Sequence, residues 1–176
     1  MKIAVVGYSA SGKSTFSKKL SAHYNIPVLH IDTIYFNENM TINDRTVTEG
    51  RIFDMMKKDH WIIDGTYRYL AQNRLEQADH IFLFNFGRWT CFFGLIRRYF
   101  KYRKKQRDTM ALGNPERIDL SFVKWILWDG RKKDTKQLYK YYIETYQQKI
   151  TIFKKRNDVK KYLQSIDYQG PLGYTG

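Results

Sequence analysis

The sequence is short of cysteine, of acidic side chains and of long apolar runs. Its one cysteine, Cys91, excludes an intramolecular disulfide and favours a reducing, cytoplasmic setting. No run of about 18 apolar residues occurs, so we expect no membrane-spanning helix, and the few residues before the first motif predict no signal peptide. Seventeen Asp and Glu stand against 31 Lys and Arg, which gives a net charge of +14. This excess predicts an anionic partner, whether nucleotide, nucleic acid or membrane surface, without choosing among them.

The composition is that of a folded chain. The 176 residues fit one domain with one hydrophobic core. Hydrophobic side chains make up 43% and aromatic ones 16%, which excludes a disordered chain. No internal repeat or linker divides the sequence. We therefore expect a single domain over residues 1–168 and a flexible tail over 169–176.

Apolar runs that suit buried strands alternate with segments of helical spacing. The predicted strands are 2–7, 27–31, 60–64, 80–86 and 149–153. The predicted helices are 13–24, 46–58, 69–77, 89–103, 120–147 with a break near Gly130, and a last one from Asn157 to about Ser165. This alternation indicates an α/β fold with a parallel sheet.

Several local features set expectations for helix ends and buried faces. Residues 46–49, Thr-Val-Thr-Glu, have the form of a capping box, and Asn157 suits an N-cap. The helix after Thr46 is expected to turn its apolar side chains inward, namely Ile52, Phe53 and Met56. An aromatic stripe is interpreted as core, with stacking on an adenine or acceptor ring as the alternative. It comprises Trp89, Phe92, Phe93, Ile96 and Phe100, followed later by Phe122, Trp125 and Trp128.

Residues 7–14 match the phosphate-binding pattern G-x-x-x-x-G-K-[ST] in full. The glycines let backbone N–H groups approach phosphate oxygens closely, and the following helix adds the partial positive charge of its N-terminus. Lys13 adds a mobile charge for the β- and γ-phosphates, and Ser14 a hydroxyl that can ligate magnesium. The alternative is a glycine-rich turn with an incidental lysine. The residues predicted to hold the nucleotide are Gly7, Ser9, Ala10, Ser11, Gly12, Lys13, Ser14 and Thr15.

Five pieces of the sequence carry a family resemblance. They are 7–15 (GYSASGKST), 30–36 (HIDTIYF), 61–67 (WIIDGTY), 84–89 (FNFGRW) and 113–116 (GNPE). Together they resemble nucleoside and nucleotide kinases, most of all the topology modulation proteins, a branch similar to adenylate kinases. The resemblance covers residues 1 to about 165. It implies a three-layer α/β/α P-loop NTPase fold, with a five-stranded parallel sheet of order 2-3-1-4-5 and a basic helical lid at about 101–118.

The resemblance also bears on single residues. Many relatives have an acidic residue and a proline after the fourth strand, where this chain has Asn85 and Gly87, so only Arg88 carries over. Asp64 is similar to the adenylate kinase aspartate that helps hold magnesium through water; the alternative is a turn or helix cap. Asp32 stands where shikimate-kinase-like proteins carry an acidic residue, and a carboxylate there can orient an attacking hydroxyl. Its alternative is a cap or a surface ion pair.

Basic residues gather before and within the predicted lid, since seven of the eleven residues from 97 to 107 are Lys or Arg. A guanidinium matches phosphate oxygens bidentately, although each arginine taken alone is more often a solvated residue. The candidates for clamping phosphates are Arg88, Arg97, Arg98, Arg103 and Arg107, with Arg131 less favoured. The four histidines show no metal-ligand spacing.

These observations predict ATP- and Mg²⁺-dependent phosphoryl transfer to a small molecule, either a nucleoside, a nucleotide or another hydroxyl compound. Lys13, Asp32, Arg88 and Arg97 are the expected catalytic residues, with Ser14 and Asp64 at the metal. The alternatives are a nucleic-acid-associated ATPase and a regulatory nucleotide-binding protein of the topology modulation type. Nucleic acid is a less favoured partner because no nucleic-acid-binding motif occurs. No membrane partner is expected, and the oligomeric state stays open.

Overall fold

The computed structural model describes residues 1–71, 73–103, 107–114 and 118–171. The strands are β1 (Lys2–Gly7), β2 (Val28–His30), β3 (Trp61–Asp64), β4 (His80–Phe84) and β5 (Ile150–Phe153). They form one parallel sheet in the order β2-β3-β1-β4-β5. The predicted fold class and strand order are therefore confirmed.

Helices cover both faces of the sheet, which makes the three-layer α/β/α arrangement. The helices are α1 (Lys13–Tyr24), α2 (Asp32–Tyr35), α3 (Arg45–Met56), α4 (Arg74–Gln77), α5 (Arg88–Tyr102), α6 (Leu120–Leu127), α7 (Lys133–Thr145) and α8 (Arg156–Ser165). The break predicted near Gly130 is confirmed, since a short 3₁₀ turn, Asp129–Arg131, separates α6 from α7. None of the helices in the described ranges is long and apolar enough to cross a membrane.

The strand register brings chemistry-bearing residues to one edge of the sheet. Val5 of β1 pairs with Asp64 of β3, and His30 of β2 pairs with the same Asp64. Because all strands are parallel, the loops after β1, β2 and β3 leave the sheet at this edge. The phosphate-binding loop therefore begins beside both Asp64 and the segment that carries Asp32.

An aromatic cluster fixes α1 on the sheet. Phe16 is fully buried, and its ring lies 4.8 Å from that of Phe82 and 5.4 Å from those of Phe84 and Phe153. Phe82 and Phe84 reach the same helix because alternate residues of a strand point to one face. The ring of Tyr162, from α8, completes the cluster at 5.9 Å. Phe16 thus connects the helix of the phosphate-binding loop to β4, β5 and α8.

Two predicted helix caps were wrong. The carboxylate of Asp44 accepts from the N–H groups of Thr46 and Val47, so α3 begins at Arg45 and Thr46 does not cap it. In α8 the cap position is Lys155 and Asn157 lies inside the first turn. Asp158 replaces the expected cap by accepting from the N–H groups that precede the helix. In both cases a carboxylate one or two positions from the predicted residue accepts the hydrogen bonds at the start of the helix.

The predicted burial of the aromatic stripe was wrong for five of its members, while Phe92 and Phe122 are half-buried and pack against the core as expected. α5 turns Cys91 and Leu95 toward the core, both fully buried. Trp89, Phe93 and Phe100 are instead 60%, 64% and 65% exposed. Trp125, Trp128 and Phe53, also expected inside, are 50%, 56% and 41% exposed. Helical spacing shows that a face is apolar, but α5 has two such faces, and only packing decides which one meets the sheet.

Part of the predicted lid and tail falls outside the described residues. Within the expected lid at 101–118, the described stretch 107–114 forms turns. Residues 104–106 and 115–117 lie outside the described ranges, as do residues 172–176 of the expected tail.

We predict that Phe16→Ala lowers the free energy of unfolding by about 3–5 kcal/mol, because it leaves a cavity among four rings. Phe93→Ala is the matched control and should change it by no more than about 0.5 kcal/mol, because that ring is exposed. Equilibrium urea unfolding followed by circular dichroism measures both. If Phe93→Ala lowered the free energy of unfolding as much as Phe16→Ala, the ring of Phe93 would belong to the core.

Candidate active site

The phosphate-binding loop has a backbone that glycine makes feasible. Gly7 has φ of 137°, and a Cβ there would lie 2.4 Å from the carbonyl oxygen of Phe84. Ala10 and Gly12 also have positive φ, 58° and 99°. The Ser11 hydroxyl donates to the Tyr8 carbonyl at 2.7 Å. The loop is thus folded on itself and turns its N–H groups to the space before α1.

Lys13 stands at the first position of α1, and its ammonium donates to the Tyr8 carbonyl at 2.8 Å. Burial lowers the pKa of Lys13, while the carboxylates of Asp64 and Asp32 act in the opposite direction. Arg98 adds to the lowering. The strand register places Asp64 beside β1 and Asp32 just after β2, so both carboxylates lie at the sheet edge where the loop leads into Lys13.

Asp64 is buried at the end of β3, where it pairs with a histidine. His30 Nδ1 lies 2.8 Å from Asp64 Oδ2, and with Asp64 ionised this nitrogen is the donor. Within the described residues, Asp64 Oδ1 and His30 Nε2 are buried without a hydrogen-bond partner. A buried polar atom left in this state requires water, an ion or a ligand. Asp64 is thus held by one oxygen and has the other available.

Asp32 is the first residue of α2, directly after β2. The Tyr67 hydroxyl donates to Asp32 Oδ1 at 2.6 Å. Burial, then the nearby Asp32 charge, raises the pKa of Tyr67, so this phenol stays protonated and remains a donor. The ring of Tyr35 lies 4.4 Å from that of Tyr67. Asp32 is therefore oriented by a tyrosine that aromatic packing fixes.

The segment after β3 is tied to the phosphate-binding loop. The Thr66 hydroxyl donates to the Gly7 carbonyl and accepts from the Gly7 N–H, both at 2.8 Å. Tyr67 follows Thr66 directly. The contact that fixes the start of the loop therefore also fixes the tyrosine that orients Asp32.

Arg131 approaches the loop from its other side. Its guanidinium stacks on the Tyr8 ring at 3.7 Å from the centroid, and Nη1 donates to the Phe86 carbonyl at 2.9 Å. Nη2 lies 3.1 Å from Cys91 Sγ. Burial raises the pKa of the Cys91 thiol, and Arg131 opposes that shift. Arg131 thus connects the loop to β4 and α5.

The other predicted site residues take different positions. Ser14 is half-buried and Thr15 exposed, both in the first turn of α1. Arg88 is exposed at the start of α5 and makes no hydrogen bond or ion pair with the described part of the chain. Arg97 is exposed, whereas its neighbour Arg98 is half-buried. The catalytic roles of Arg88 and Arg97 stay predictions.

Asn114 fastens the described part of the lid over the segment after α2. Its side-chain amide donates to the Asn37 carbonyl at 2.8 Å, and its Oδ1 accepts from the Met40 N–H at 2.6 Å. It also donates to the Ala111 carbonyl at 3.2 Å. At the other end of the stretch, Lys18 and Asp108 form an ion pair, which lowers the pKa of Asp108. The described residues 107–114 are therefore held against both α1 and the segment after α2.

Four residues of the site were not singled out from the sequence: His30, Thr66, Tyr67 and Asn114. His30 carried a usable signal, since in a parallel sheet the last residues of neighbouring strands lie side by side. Thr66 and Tyr67 follow a strand end, a common position for ligand-binding groups. Asn114 lies in the piece 113–116 that carries the family resemblance, but its partners, more than 70 positions away, could not be predicted from the sequence.

The residues present fit a magnesium–nucleotide complex. The loop offers converging N–H groups and Lys13 for phosphate oxygens, Ser14 offers a hydroxyl, and Asp64 Oδ1 is a buried oxygen without a partner. No cluster of three or more His, Cys, Asp or Glu side chains suited to a metal occurs in the described ranges. A site with one hydroxyl, phosphate oxygens and waters needs no such cluster, because Mg²⁺ usually keeps several waters.

We predict that Asn114→Ala loosens the lid. Loss of hydrogen bonds that contribute about 1.4 kcal/mol would raise local opening about tenfold. Limited trypsin digestion, with cleavage after Arg103 and Arg107 quantified by mass spectrometry, should therefore be faster in the variant. The matched control is Asn157→Ala, at an exposed asparagine of α8, which should digest like the parent protein. Identical rates in all three proteins would contradict a fastening role for Asn114.

Comparison with known proteins finds similarity to a curated sequence and to solved structures. The chain is 40% identical to the shikimate kinase of Flavobacterium psychrophilum over 60 residues, which is 34% of this chain and 34% of that protein. The match thus spans about a third of the length of this curated relative. No family model matches the sequence.

Two solved structures are similar to the chain at low sequence identity. The shikimate kinase of Aquifex aeolicus is 17% identical, with a TM-score of 0.47 over 95% of this chain and 96% of that one. The shikimate kinase of Bacteroides thetaiotaomicron is 15% identical, with a TM-score of 0.47 over 95% and 96%. This protein's own strand order, together with its complete phosphate-binding loop after β1, gives the chain the P-loop NTPase fold.

Proposed function

We propose that the protein is a kinase that transfers the γ-phosphoryl group of ATP to a hydroxyl of a small molecule. The observation that carries this proposal is the meeting of three groups at one sheet edge. Lys13 follows the phosphate-binding loop after β1, Asp64 ends the neighbouring β3, and Asp32 follows β2 on the other side of β3. A protein that only binds a nucleotide has no need of the second carboxylate.

In this proposal the nucleotide phosphates lie on the N–H groups of residues 9–14, since those of Gly7 and Tyr8 donate to Thr66 and Phe84. Lys13 exchanges its bond to the Tyr8 carbonyl for phosphate oxygens and stabilises the charge that develops on the transferred group. Arg98 and Arg131 are additional cations near the loop. Positioning and charge stabilisation supply most of the rate in this kind of reaction.

Asp32 orients the acceptor. Its Oδ1 is engaged by Tyr67, so Oδ2 is the atom that accepts a hydrogen bond from the acceptor hydroxyl. The acceptor oxygen bonds to the γ-phosphorus, and the bond from that phosphorus to the β–γ bridging oxygen breaks. The acceptor proton passes to Asp32 late and then to solvent, which leaves ADP and a phosphate ester.

Ser14 and Asp64 would hold magnesium, the first directly and the second through water. When bound, the ion neutralises charge on the β- and γ-phosphates. His30 fixes Asp64 by its Oδ2, which keeps Oδ1 directed to the water. This division of labour assigns the two carboxylates different tasks, Asp64 to the metal and Asp32 to the acceptor.

The sequence similarity supports a hydroxyl acceptor over a purely regulatory role. The matching segment belongs to a protein named shikimate kinase. Shikimate, nucleosides and nucleotides are therefore the first acceptors to test. Kinship with the topology modulation branch, and a cytoplasmic location, stay predictions from the sequence.

The second candidate is a nucleic-acid-associated ATPase. The net charge of +14 and the basic residues from 97 to 107 favour it. An ATPase of this kind has no acceptor hydroxyl for the Asp32–Tyr67 pair to orient, so we place this function second. The two functions differ in what stimulates ATP turnover, a small hydroxyl compound or a nucleic acid.

We predict that Lys13→Ala lowers ATP affinity and reduces turnover by about 10²–10³-fold, because it removes the cation facing the developing charge. The measurement is ADP release with Mg²⁺ across a panel of shikimate, nucleosides, nucleotides and sugars. Lys160→Ala, a matched change at an exposed lysine of α8, should leave turnover within a few-fold. Stimulation of ADP release by single-stranded DNA alone would favour the ATPase instead. If Lys13→Ala turns over ATP like the parent protein, the phosphate-site assignment fails.

We predict that the two carboxylate variants behave differently. Asp32→Asn should leave ATP affinity nearly unchanged and reduce transfer about 10²-fold or more, as for loss of a positioned acid–base group. Asp64→Asn should instead raise the Mg²⁺ concentration that gives half-maximal activity. Nucleotide titration and Mg²⁺ titration of both variants separate the effects. An equal loss of ATP binding and transfer in Asp32→Asn would assign Asp32 to the nucleotide or the metal.

A further inference from the structure

The outward face of α5 carries a large apolar stripe. Trp89, Phe93 and Phe100 are 60%, 64% and 65% exposed. At about 100° per residue these three positions fall within a narrow arc of the helix surface. The buried Cys91 and Leu95 lie on the opposite side. Exposed aromatic rings in a row differ from the scattered single apolar residues that protein surfaces normally show.

We call the three exposed rings of Trp89, Phe93 and Phe100 the aromatic face. The neighbouring helix α6 contacts α5 on the other side, because Arg98 stacks on Phe122 of α6 and Arg131, beyond the end of α6, reaches Cys91. Arg98 and Cys91 both lie opposite the aromatic face on the helix surface. α6 therefore leaves the aromatic face exposed.

Positive charge surrounds the aromatic face. No Asp or Glu occurs from residue 80 to residue 107, a stretch with eight Lys and Arg. Arg88, Arg97 and Lys101 are exposed on α5 itself. Apolar rings bordered by cations suit a partner with a hydrophobic interior and a negatively charged surface.

We propose that the aromatic face binds the surface of an anionic lipid bilayer. Its Trp and Phe rings enter the boundary between headgroups and acyl chains, and the Lys and Arg side chains contact lipid phosphates. The sequence expectation of no membrane partner rested on the missing membrane-spanning run, which concerns spanning and not surface binding. The net charge of +14 draws the whole protein to such a surface.

The geometry leaves the candidate active site accessible in this bound state. Gly94 is the residue of α5 that meets the phosphate-binding loop, since a Cβ there would lie 2.2 Å from the Ala10 carbonyl oxygen. Gly94 follows Phe93 by one position and therefore lies about 100° around the helix from it. The side of α5 that supports the loop and the side that meets lipid are distinct.

Two other occupants of the aromatic face are less well matched. A second copy of the chain would bring its own cationic border and its own charge of +14 against the first. Single-stranded nucleic acid stacks its bases on rings along a groove, whereas Trp89, Phe93 and Phe100 line the outside of one helix. Both occupants are outcomes that the experiment can reveal.

The experiment measures flotation of the full chain with phosphatidylcholine vesicles that contain or lack phosphatidylserine. We expect binding at least about tenfold stronger to the anionic vesicles, weakened by added salt. Tryptophan emission should shift to shorter wavelength, because the exposed Trp89 would leave water. The double variant Phe93→Ala/Phe100→Ala should lose about tenfold or more of this binding. Phe53→Ala, at a 41% exposed ring on α3, is the matched control and should bind like the parent protein.

Three results would overturn the proposal. The first is equal binding to anionic and neutral vesicles, or to neither. The second is a dimer in sedimentation velocity that the double variant abolishes, which would assign the face to a second copy. The third is binding of a single-stranded oligonucleotide that the double variant abolishes while vesicle binding is unaffected. Circular dichroism of each variant checks that it is folded, which the exposure of both rings leads us to expect.

Discussion

The hydrogen bond between His30 and Asp64 holds together the part of the molecule on which the proposed chemistry depends. It joins the ends of β2 and β3 at 2.8 Å, in a place where both side chains are buried. Because Oδ2 is engaged, the other oxygen of Asp64 keeps a fixed direction next to the phosphate-binding loop. The pair is feasible only because the parallel register sets His30 beside Asp64 and Asp64 beside Val5. A shift of one residue would turn these side chains to the other face of the sheet.

Around this pair, close backbone contacts keep the loop in one shape. Gly7 lies against Phe84 of β4, and Gly94 lets α5 come within contact of Ala10. Thr66 holds Gly7 from the other side, and Arg131 covers Tyr8. Strands and helices thus fix the loop from several directions, which is what a phosphate site needs to stabilise a developing charge without rearranging. The same contacts explain why α5 turns its small residues inward and its large aromatic residues outward.

Much of the fold and the centre of the site could be predicted from the sequence. The strands at 2–7 and 80–84, the phosphate-binding loop and the break near Gly130 follow from local chemistry: buried apolar runs, glycines at a defined spacing, and a helix breaker. Predictions that depended on choosing between neighbours were less accurate. Asp44 and Asp158 took over the capping expected of Thr46 and Asn157. Asp44 lies two positions from Thr46, and Asp158 directly follows Asn157. All four residues are polar, so local capping preference alone does not separate the two members of each pair.

The sequence by itself determined the nucleotide-binding chemistry, because every group in the pattern of residues 7–14 acts through its own backbone or side chain. It also determined that acidic residues follow β2 and β3. Tertiary structure alone decided the partners of those residues, Tyr67 for Asp32 and His30 for Asp64, since these contacts join positions 35 and 34 residues apart. Tertiary structure alone also decided which apolar side of α5 is buried. Periodicity shows that a helix has an apolar face, but not which face is buried. The buried face is the one that can pack closely against the rest of the protein. In α5 that is the face of Cys91 and Gly94, because these small residues allow the closer approach.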